Sequence, residues 1–288
     1  IYLYRSRQKE SKGMKVLLTG ATGLVGSEIV KLCKQNNISV NYLTTNKDKI
    51  VFQTGYNGFY WNPDKNEIDA NCFSGVTTII NLAGSSISKR WTGKNKKRIL
   101  NSRVKSLRTL SEAISKVKAH GIKTIVSASA IGIYPNSLSQ YYREDVEEVD
   151  DSFLGEVVSI WEKEVDAFEK LNIKTAKIRI GLVMSNKGGA LPEMAKPVKY
   201  YVGAAVGSGN QWQSWIHLQD LGRVFLHVVS KDLTGVYNAV APNPVTNVKL
   251  TKELARVLDR PLFLPNIPRA VMHLVLGEMA YLLFASQR

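Results

Sequence analysis

Three glycines near the start of the chain have the spacing of a nucleotide-binding turn. Gly20, Gly23 and Gly26 follow directly after the apolar run Val16–Leu18. Their GxxGxxG spacing differs from GxGxxG, but the physical demands are the same: a tight turn, a close approach of backbone to a pyrophosphate, and close packing of a helix on a strand. Three glycines can also simply interrupt a loop, but here an apolar run precedes them and an amphipathic helix follows. The stretch therefore predicts a dinucleotide site with phosphates at the N-terminus of that helix.

The residues after the second predicted strand indicate which dinucleotide would bind. The strand ISVNYL (38–43) is followed by Thr44, Thr45, Asn46 and Lys47, and no carboxylate occurs before Asp48. An acidic residue at this point binds the ribose 2′-hydroxyl of NAD, whereas a neutral or basic environment admits the 2′-phosphate of NADP. The sequence therefore favours NADP(H) over NAD(H).

Strands and helices alternate along most of the chain, which positions this turn in a parallel sheet. Continuous apolar strands are typical of parallel sheets covered by helices on both faces. We predict an α/β fold with a doubly wound parallel sheet (Rossmann) over 14–185 and a smaller C-terminal α/β lobe over 186–288, some of whose segments return to the main sheet. The predicted strands are 38–43, 59–62, 76–82, 123–129, 175–183 and 235–240, and the predicted helices are 94–118, 154–171, 218–229, 250–258 and 269–284. The glycine-rich stretch after Val183 is predicted to form loops, and the final apolar helix to pack in the core.

The chain of 288 residues is 44% hydrophobic and 22% charged, which is ordinary globular composition, but its net charge is +15. The densest basic cluster falls on one side of a helix whose other side has the apolar spacing of a core-facing stripe. A solvated face is the expected role, contact with an anionic cofactor or substrate is the alternative, and nucleic acid is not an expected partner because no nucleic-acid motif accompanies the cluster. The cluster comprises Lys89, Arg90, Lys94, Lys96, Lys97, Arg98, Arg103, Lys105 and Arg108.

The cysteines, the apolar segments and the first residues of the chain indicate the cellular compartment. Cys33 and Cys72 form neither a disulfide framework nor a metal motif, so a reducing, cytoplasmic setting is expected. No stretch is long and apolar enough to span a membrane, and Ile1–Gly13 lacks the apolar region of a secretory signal. We interpret residues 1–13 as a leader or an expression remnant, with Met14 as the natural start.

Several motifs in order resemble those of the extended short-chain dehydrogenase/reductase superfamily, and more narrowly its atypical, epimerase-family branch, whose members are often labelled nucleoside-diphosphate-sugar epimerases. The resemblance covers the chain from Met14 to Arg288. It implies a dinucleotide and a small-molecule substrate, such as a sugar nucleotide or another carbonyl or hydroxyl compound, and a homo-oligomer is possible. The motifs are TGATGLVG, NLAGSSISKRW, NSRVKS, SASAIGIY, IRIGLVMS, GSGNQWQSWIHLQD and APNPVTN.

The resemblance also implies roles for individual residues along the dinucleotide. The glycine turn would cradle the pyrophosphate, the end of the second strand would meet the adenosine ribose, and the end of the third buried strand would meet the adenine and ribose. Later strand ends would meet the nicotinamide, and Arg103 would reach a phosphate from the long helix. In chain order the residues are Gly20, Thr22, Gly23, Leu24, Val25, Gly26, Thr45, Asn46, Leu82, Ala83, Gly84, Arg103, Ala128, Ser129, Ile180 and Gly181.

One departure from the superfamily concerns its chemistry. A working member uses serine, tyrosine and lysine, and the lysine matters because an unperturbed phenol, with a pKa of about 10, is a poor base at neutral pH. Ser129 can fill the position of the serine. The YxxxK pair should follow about 25 residues later, in the segment LGEVVSIWEKEV, but no tyrosine precedes a lysine at that spacing nearby.

Two hypotheses follow from the absent pair. In the first, hydride chemistry survives with a substitute acid/base, for which Tyr134 is nominated and Glu162 or His217 are less favoured. In the second, the protein binds the dinucleotide without turning it over. Tyr134 could equally be a packed aromatic residue, and His217 a structural histidine. Trp212, Trp215 and His217 are predicted to form a polar and aromatic wall of the substrate pocket.

Overall fold

The computed structural model describes residues 13–117 and 120–288. The predicted leader, 1–13, therefore lies outside the described residues apart from Gly13. The strands are β1 Lys15–Thr19, β2 Ser39–Thr44, β3 Phe52–Gln53, β4 Tyr56–Asn62, β5 Glu67–Ile68, β6 Thr78–Asn81, β7 Thr124–Ala130, β8 Lys174–Ile180, β9 Leu182–Met184, β10 Trp212–Gln213, β11 Trp215–His217, β12 Gly235–Ala239 and β13 Val245–Thr246.

The helices alternate with these strands through most of the chain. They are α1 Leu24–Gln35, α2 Gly93–Lys116, α3 Phe153–Asp166, α4 Ala190–Lys199, α5 Leu218–Ser230, α6 Asn247–Val257, α7 Arg269–Leu276 and α8 Tyr281–Phe284. Helix α1 packs against α5, and α2 packs against α3, so that each pair covers one face of the main sheet. None of the helices in the described ranges is long and apolar enough to cross a membrane.

The main sheet has the order β12-β8-β7-β6-β1-β2-β4-β3. Its seven strands from β12 to β4 pair in parallel, and β3 and β5 add antiparallel edges to β4. The fold is thus the predicted doubly wound α/β sheet. Strand β1 lies between β2 and β6, which is where the strand order reverses and where ligands bind in such folds.

The core is built from the apolar runs of the central strands. Val16, Leu17, Leu18, Ile79 and Ile80 are fully buried because helices cover both faces of these strands. This large cluster continues into α1, α2 and α5. The central strands are therefore rigid supports for whatever lies at their carboxyl ends.

The C-terminal half differs from the sequence prediction at two places. The predicted loop after Val183 contains α4, a helix that forms with Pro197 inside it. The predicted core helix over 269–284 is instead broken, because Gly277 has a φ of +62° and separates α7 from the short helix α8. On α7, Leu274 and Val275 are exposed, so the apolar character of this segment reflects a surface as well as a core.

Candidate functional site

The glycine turn between β1 and α1 adopts a geometry that requires glycine at two positions. Gly20 has a φ of +71°, in the left-handed region. A Cβ atom on Gly26 would lie 2.1 Å from the carbonyl oxygen of Gly20, so helix and turn are in contact there. The N–H of Gly23 donates to the same Gly20 oxygen at 3.0 Å, which closes the turn.

The N-terminus of α1 is open toward an anion. Gly23 is its N-cap, and within the described residues no side chain caps the helix and no acidic residue occupies its first turn. The first N–H groups of the helix are therefore free to bind a phosphate, and the helix dipole favours negative charge there. Thr22 and Gly23 are exposed and Leu24 and Val25 partly buried, which fits a pyrophosphate lying along this turn.

The end of β2 lies one strand away from the glycine turn. Thr44 Oγ1 accepts from the backbone N–H of Asn46 at 3.2 Å, and Asn46 Oδ1 accepts from the N–H of Asp48 at 2.9 Å. These bonds hold Thr45 and Asn46 exposed at the carboxyl end of the strand. Lys47 follows with its Nζ 4.9 Å from the ring centre of Tyr60. The stretch from Thr44 to Lys47 at the end of β2 therefore contains one cation and no carboxylate.

The end of β6 is fixed against the glycine turn on its other side. Thr19 Oγ1 donates to Asn81 Oδ1 at 2.8 Å and accepts from the N–H groups of Leu82 and Ala83 at 2.9 and 3.0 Å. A Cβ on Gly20 would lie 3.1 Å from the Leu82 carbonyl oxygen, so turn and strand end are in close contact. Gly84 follows as an exposed residue.

Arg103 reaches the same strand end from α2. Its Nη1 donates to the carbonyl oxygens of Ile99 at 2.9 Å and Ser85 at 3.3 Å. A Cβ on Gly84 would lie 3.1 Å from the guanidinium carbon, so a larger residue there would require the Arg103 side chain to shift by a few tenths of an ångström. The guanidinium carbon lies 4.9 Å from the ring centre of Trp161 in α3.

Ser129 and Glu162 form the centre of a buried polar network. The Ser129 hydroxyl donates to Glu162 Oε1 at 2.5 Å. Arg179 donates to both carboxylate oxygens of Glu162 at 2.9 Å, from Nε and Nη2. All three side chains are buried. A charge-assisted, bidentate pair of this kind fixes both partners in orientation.

The network extends from Arg179 to Tyr134. Arg179 Nη1 donates to the Tyr134 hydroxyl at 2.9 Å, and that hydroxyl donates to Asn238 Oδ1 at 2.8 Å. Tyr134 also stacks on Tyr142, with ring centres 5.2 Å apart. Burial raises the pKa of Tyr134 above its usual value, although the hydrogen bond from Arg179 acts in the opposite direction. The phenol is therefore protonated at neutral pH.

Strand register explains why these groups meet. Ser129 in β7, Arg179 in β8 and Asn238 in β12 are successive partners across three adjacent parallel strands. Side chains at one register position point to the same face of a sheet. Glu162 reaches them from α3, which packs on β7 and β8.

The remaining predicted residues lie at the ends of neighbouring strands. Ala128 is buried in β7, and Ile180 is the last residue of β8. A Cβ on Gly181 would lie 2.5 Å from the carbonyl oxygen of Ser214, so this glycine lets the segment before β11 approach the sheet. The structure therefore places Ala128, Ile180 and Gly181 at the same edge as Ser129.

The three residues predicted to form a wall of the substrate pocket contact three different parts of the chain. The indole N–H of Trp212 donates to the Leu138 carbonyl at 3.0 Å, which connects it to the loop that begins at Tyr134. Trp215 instead donates to the Asn243 carbonyl at 3.0 Å. His217 is the N-cap of α5, where its Nδ1 accepts from the N–H of Gln219 at 3.3 Å, so this histidine has a structural contact.

Three residues of the site were missed by sequence reasoning. Arg179 and Asn238 complete the network around Tyr134, and Gln287 Nε2 donates to the Tyr134 carbonyl at 2.7 Å. One signal could have revealed Arg179: it lies between Ile178 and Ile180 near the end of a predicted buried strand, and Glu162 directly follows Trp161 on the next helix toward the N-terminus. Two opposite charges at buried positions indicate a pair, because an unpaired buried charge is costly.

The turn, the open helix N-terminus and the ordered strand ends define a dinucleotide-binding Rossmann protein. The profile of the NAD dependent epimerase/dehydratase family matches residues 16–239. Epimerase family protein YfhF of Bacillus subtilis (strain 168) is 35% identical over 276 residues, which cover 96% of this chain and 89% of that protein. The chain belongs to the NAD-dependent epimerase/dehydratase family, and it is an NAD(P)-binding, epimerase/reductase-like protein.

Two solved structures share the fold over nearly the whole chain. Human epimerase family protein SDR39U1 (isoform 2), solved with NADPH, has a TM-score of 0.80 and 28% identity, covering 95% of this chain and 90% of that one. A nucleoside-diphosphate sugar epimerase from Corynebacterium glutamicum has a TM-score of 0.71 and 27% identity, covering 95% of this chain and 59% of that one. The extended short-chain dehydrogenase/reductase resemblance is thereby confirmed.

Proposed function

We propose that this protein is an NADP(H)-dependent reductase or epimerase that acts on a small hydroxyl or carbonyl compound. The observation that carries the proposal is the hydrogen-bonded connection of Ser129, Glu162, Arg179 and Tyr134 at the carboxyl end of the sheet. It brings two hydroxyl groups and a guanidinium to the edge where the nicotinamide end of a dinucleotide is expected.

The choice of NADP(H) is supported by the end of β2. A 2′-phosphate carries negative charge that a carboxylate would repel and a lysine would attract. The stretch from Thr44 to Lys47 offers only neutral groups and one cation. The NADPH in the SDR39U1 structure agrees with this choice.

The bound dinucleotide would donate or accept a hydride at the substrate carbon. The chain itself would orient the substrate oxygen and move its proton. Because its phenol is protonated at neutral pH, Tyr134 suits proton donation to a carbonyl oxygen in the reducing direction. Ser129 would hold the same oxygen, while Glu162 and Arg179 keep both hydroxyls in place. Trp212, at the adjoining loop, would line the substrate side.

A substrate carrying a nucleoside diphosphate is one member of the proposed class. It is suggested by the name of the Corynebacterium glutamicum relative. The same two hydroxyls would serve any aldehyde, ketone or secondary alcohol of suitable size, so both kinds of substrate belong in a test.

A second candidate function is binding of NADP(H) without turnover. It is favoured by the fact that both hydroxyls already have protein partners: Ser129 donates to Glu162, and Tyr134 donates to Asn238. A substrate oxygen would have to replace at least one of these acceptors. In the silent alternative the network only stabilises the fold beside the cofactor.

One experiment addresses both candidates. Purified protein is titrated with NADPH and NADH while cofactor fluorescence is followed, and saturable binding that favours NADPH is expected. Sugar nucleotides and a panel of small carbonyl compounds are then added to the NADPH complex. Oxidation of the bound cofactor by any of them supports the enzyme, whereas binding with no oxidation across the panel supports the silent alternative. Absence of binding by both cofactors would contradict the proposal.

A further inference from the structure

Within the described residues, the guanidinium of Arg103 has backbone carbonyls as its only hydrogen-bond partners. Its Nη1 donates to the carbonyl oxygens of Ile99 and Ser85. No carboxylate of residues 13–117 or 120–288 lies within ion-pair distance of it, in contrast to the buried Arg179, which Glu162 neutralises. Burial lowers the pKa of Arg103 to about 10, so the group is still charged at neutral pH.

The surroundings of Arg103 hold the guanidinium in place without neutralising it. Its central carbon lies 4.9 Å from the centre of the Trp161 ring, whose electron-rich face attracts a cation but carries no net charge. A Cβ on Gly84 would lie 3.1 Å from the same carbon. The charge of Arg103 therefore has no counter-charge among the described residues.

The position of this cation in the sheet decides which half of a dinucleotide it acts on. The glycine turn follows β1, and the stretch that contains Thr45 follows β2. The adenosine half of a dinucleotide therefore belongs on the β2 side of the glycine turn. Arg103 lies on the opposite side of the glycine turn, at the end of β6. The next strand in the sheet after β6 is β7, which contains Ser129. Trp161, which it contacts, directly precedes Glu162, the acceptor of the Ser129 hydroxyl. Arg103 thus lies beside both Gly84, which the resemblance assigns to the adenine and ribose, and Trp161, which precedes Glu162, so it stands between the two halves and can act on the nicotinamide half.

We infer that Arg103 makes the site select the reduced dinucleotide over the oxidised one. This inference rests on the proposed dinucleotide binding. The oxidised nicotinamide ring carries one positive charge and the reduced ring carries none, while the phosphates are the same in both. A nearby cation without a carboxylate partner repels the oxidised ring and leaves the reduced ring unaffected. Arg103 is thus an electrostatic positioning residue that favours the reducing direction.

This role differs from that of a phosphate ligand. A guanidinium that only binds phosphate stabilises both redox forms equally, because both carry the same phosphates. A guanidinium that acts on the ring changes the ratio of the two dissociation constants. The ratio therefore separates the two roles, whether or not a substrate has been found.

The experiment measures dissociation constants for NADPH and NADP⁺ by isothermal titration calorimetry. The variants are Arg103→Gln, Arg103→Lys and the control Arg108→Gln. Arg108 lies on the same helix, is exposed, and is paired with Glu164. Wild type and Arg108→Gln should bind NADPH about tenfold more tightly than NADP⁺, which corresponds to about 1.4 kcal/mol. Arg103→Gln should bring the ratio close to one, and Arg103→Lys should retain most of it.

Several outcomes would overturn the inference. A wild-type ratio near one does so without any variant, so a failure of Arg103→Gln to fold leaves the test intact. Equal weakening of both forms in Arg103→Gln, with an unchanged ratio, would make Arg103 a phosphate ligand only. If wild type binds neither form, the proposed function fails with it, and that result is distinct from binding without selectivity.

Discussion

Ser129 and Arg179, partners in the register of two parallel strands, donate to the same oxygen of Glu162, at 2.5 and 2.9 Å. The carboxylate thus joins a hydroxyl at the predicted reaction edge to a charge inside the sheet. Because the pair with Arg179 is bidentate, the carboxyl group of Glu162 is held in one orientation. Its role is therefore to position the Ser129 hydroxyl.

Breaking this pair should destabilise the protein strongly. Glu162→Gln leaves Arg179 as an uncompensated buried charge, and Arg179→Met leaves Glu162 likewise, so each should lower the free energy of unfolding by about 3–5 kcal/mol. The double variant should lose less than the sum, because no buried charge is left unpaired. Urea denaturation measures the free energy of unfolding of all three variants. If the loss in the double variant equals the sum of the two single losses, the two residues do not form a coupled pair.

Substitution in the glycine turn should remove cofactor binding. In Gly26→Ala the new Cβ would meet the Gly20 oxygen at 2.1 Å, so the helix must move away from the turn. We expect a loss of about 1–3 kcal/mol in stability and of most NADPH affinity. Gly93→Ala is the control, since its Cβ would meet nothing within 4 Å. Thermal unfolding and fluorescence titration distinguish the two, and tight NADPH binding by Gly26→Ala would disprove the assignment.

Removal of the Tyr134 hydroxyl should separate chemistry from binding. Tyr134→Phe should abolish any turnover found, while cofactor affinity stays within a few fold. Stability should fall by about 1–2 kcal/mol, because Asn238 and Arg179 lose a buried partner. Tyr237→Phe, which removes a hydroxyl bonded to the Thr234 carbonyl, serves as control. Persistent activity in Tyr134→Phe would show that another group handles the proton.

Lys47 should discriminate between the two dinucleotides. Lys47→Ala is expected to weaken NADPH binding about five- to tenfold, through loss of a charge-assisted contact with the 2′-phosphate, and to leave NADH binding unchanged. The control Lys49→Ala removes an exposed lysine two residues after Lys47 in the chain, and it should alter the binding of neither NADPH nor NADH. Competition titrations of each variant with both cofactors provide the measurement. Equal weakening of NADH and NADPH would argue against this contact.

The buried cysteines should make stability depend on alkaline pH. Burial raises the pKa of Cys33 from 9.0 to about 12 and also raises that of Cys72. The folded state therefore keeps these thiols protonated where the unfolded chain would ionise them. The resulting stabilisation is present below pH 9 and is lost as the pH rises toward 12, by about 1.4 kcal/mol per pH unit for each thiol.

The measurement is urea denaturation at several values between pH 8 and pH 11. In Cys33→Ala the fall of stability with pH should be shallower by the contribution of one thiol. An identical slope in wild type and variant would mean that the Cys33 thiol is accessible to solvent in the folded state.

The parallel sheet and the glycine turn could be predicted because each depends on local sequence. Apolar runs such as Val16–Leu18 form buried strands, and the positions of Gly20 and Gly26 have direct steric reasons. The link between Arg179 and Glu162 could not be predicted in the same way. It depends on how a helix lies over two strands, which local patterns do not encode.

The C-terminal half shows a second limit. Helix α4 contains Pro197 and follows Gly188 and Gly189, residues that usually indicate loops. The break at Gly277 lies within a strongly apolar run that suggests one continuous helix. In both segments tertiary contacts decide the conformation, and single-residue preferences favour a different one.

The common register of Ser129, Arg179 and Asn238 limits how the length of the chain can vary among relatives. Residues can be added or removed in the connections before and after β8 without altering which side chains face one another. A single residue inserted within β8 would turn Arg179 to the opposite face of the sheet, away from Glu162 and Tyr134. Insertions and deletions in working relatives should therefore be confined to the loops on either side of this strand.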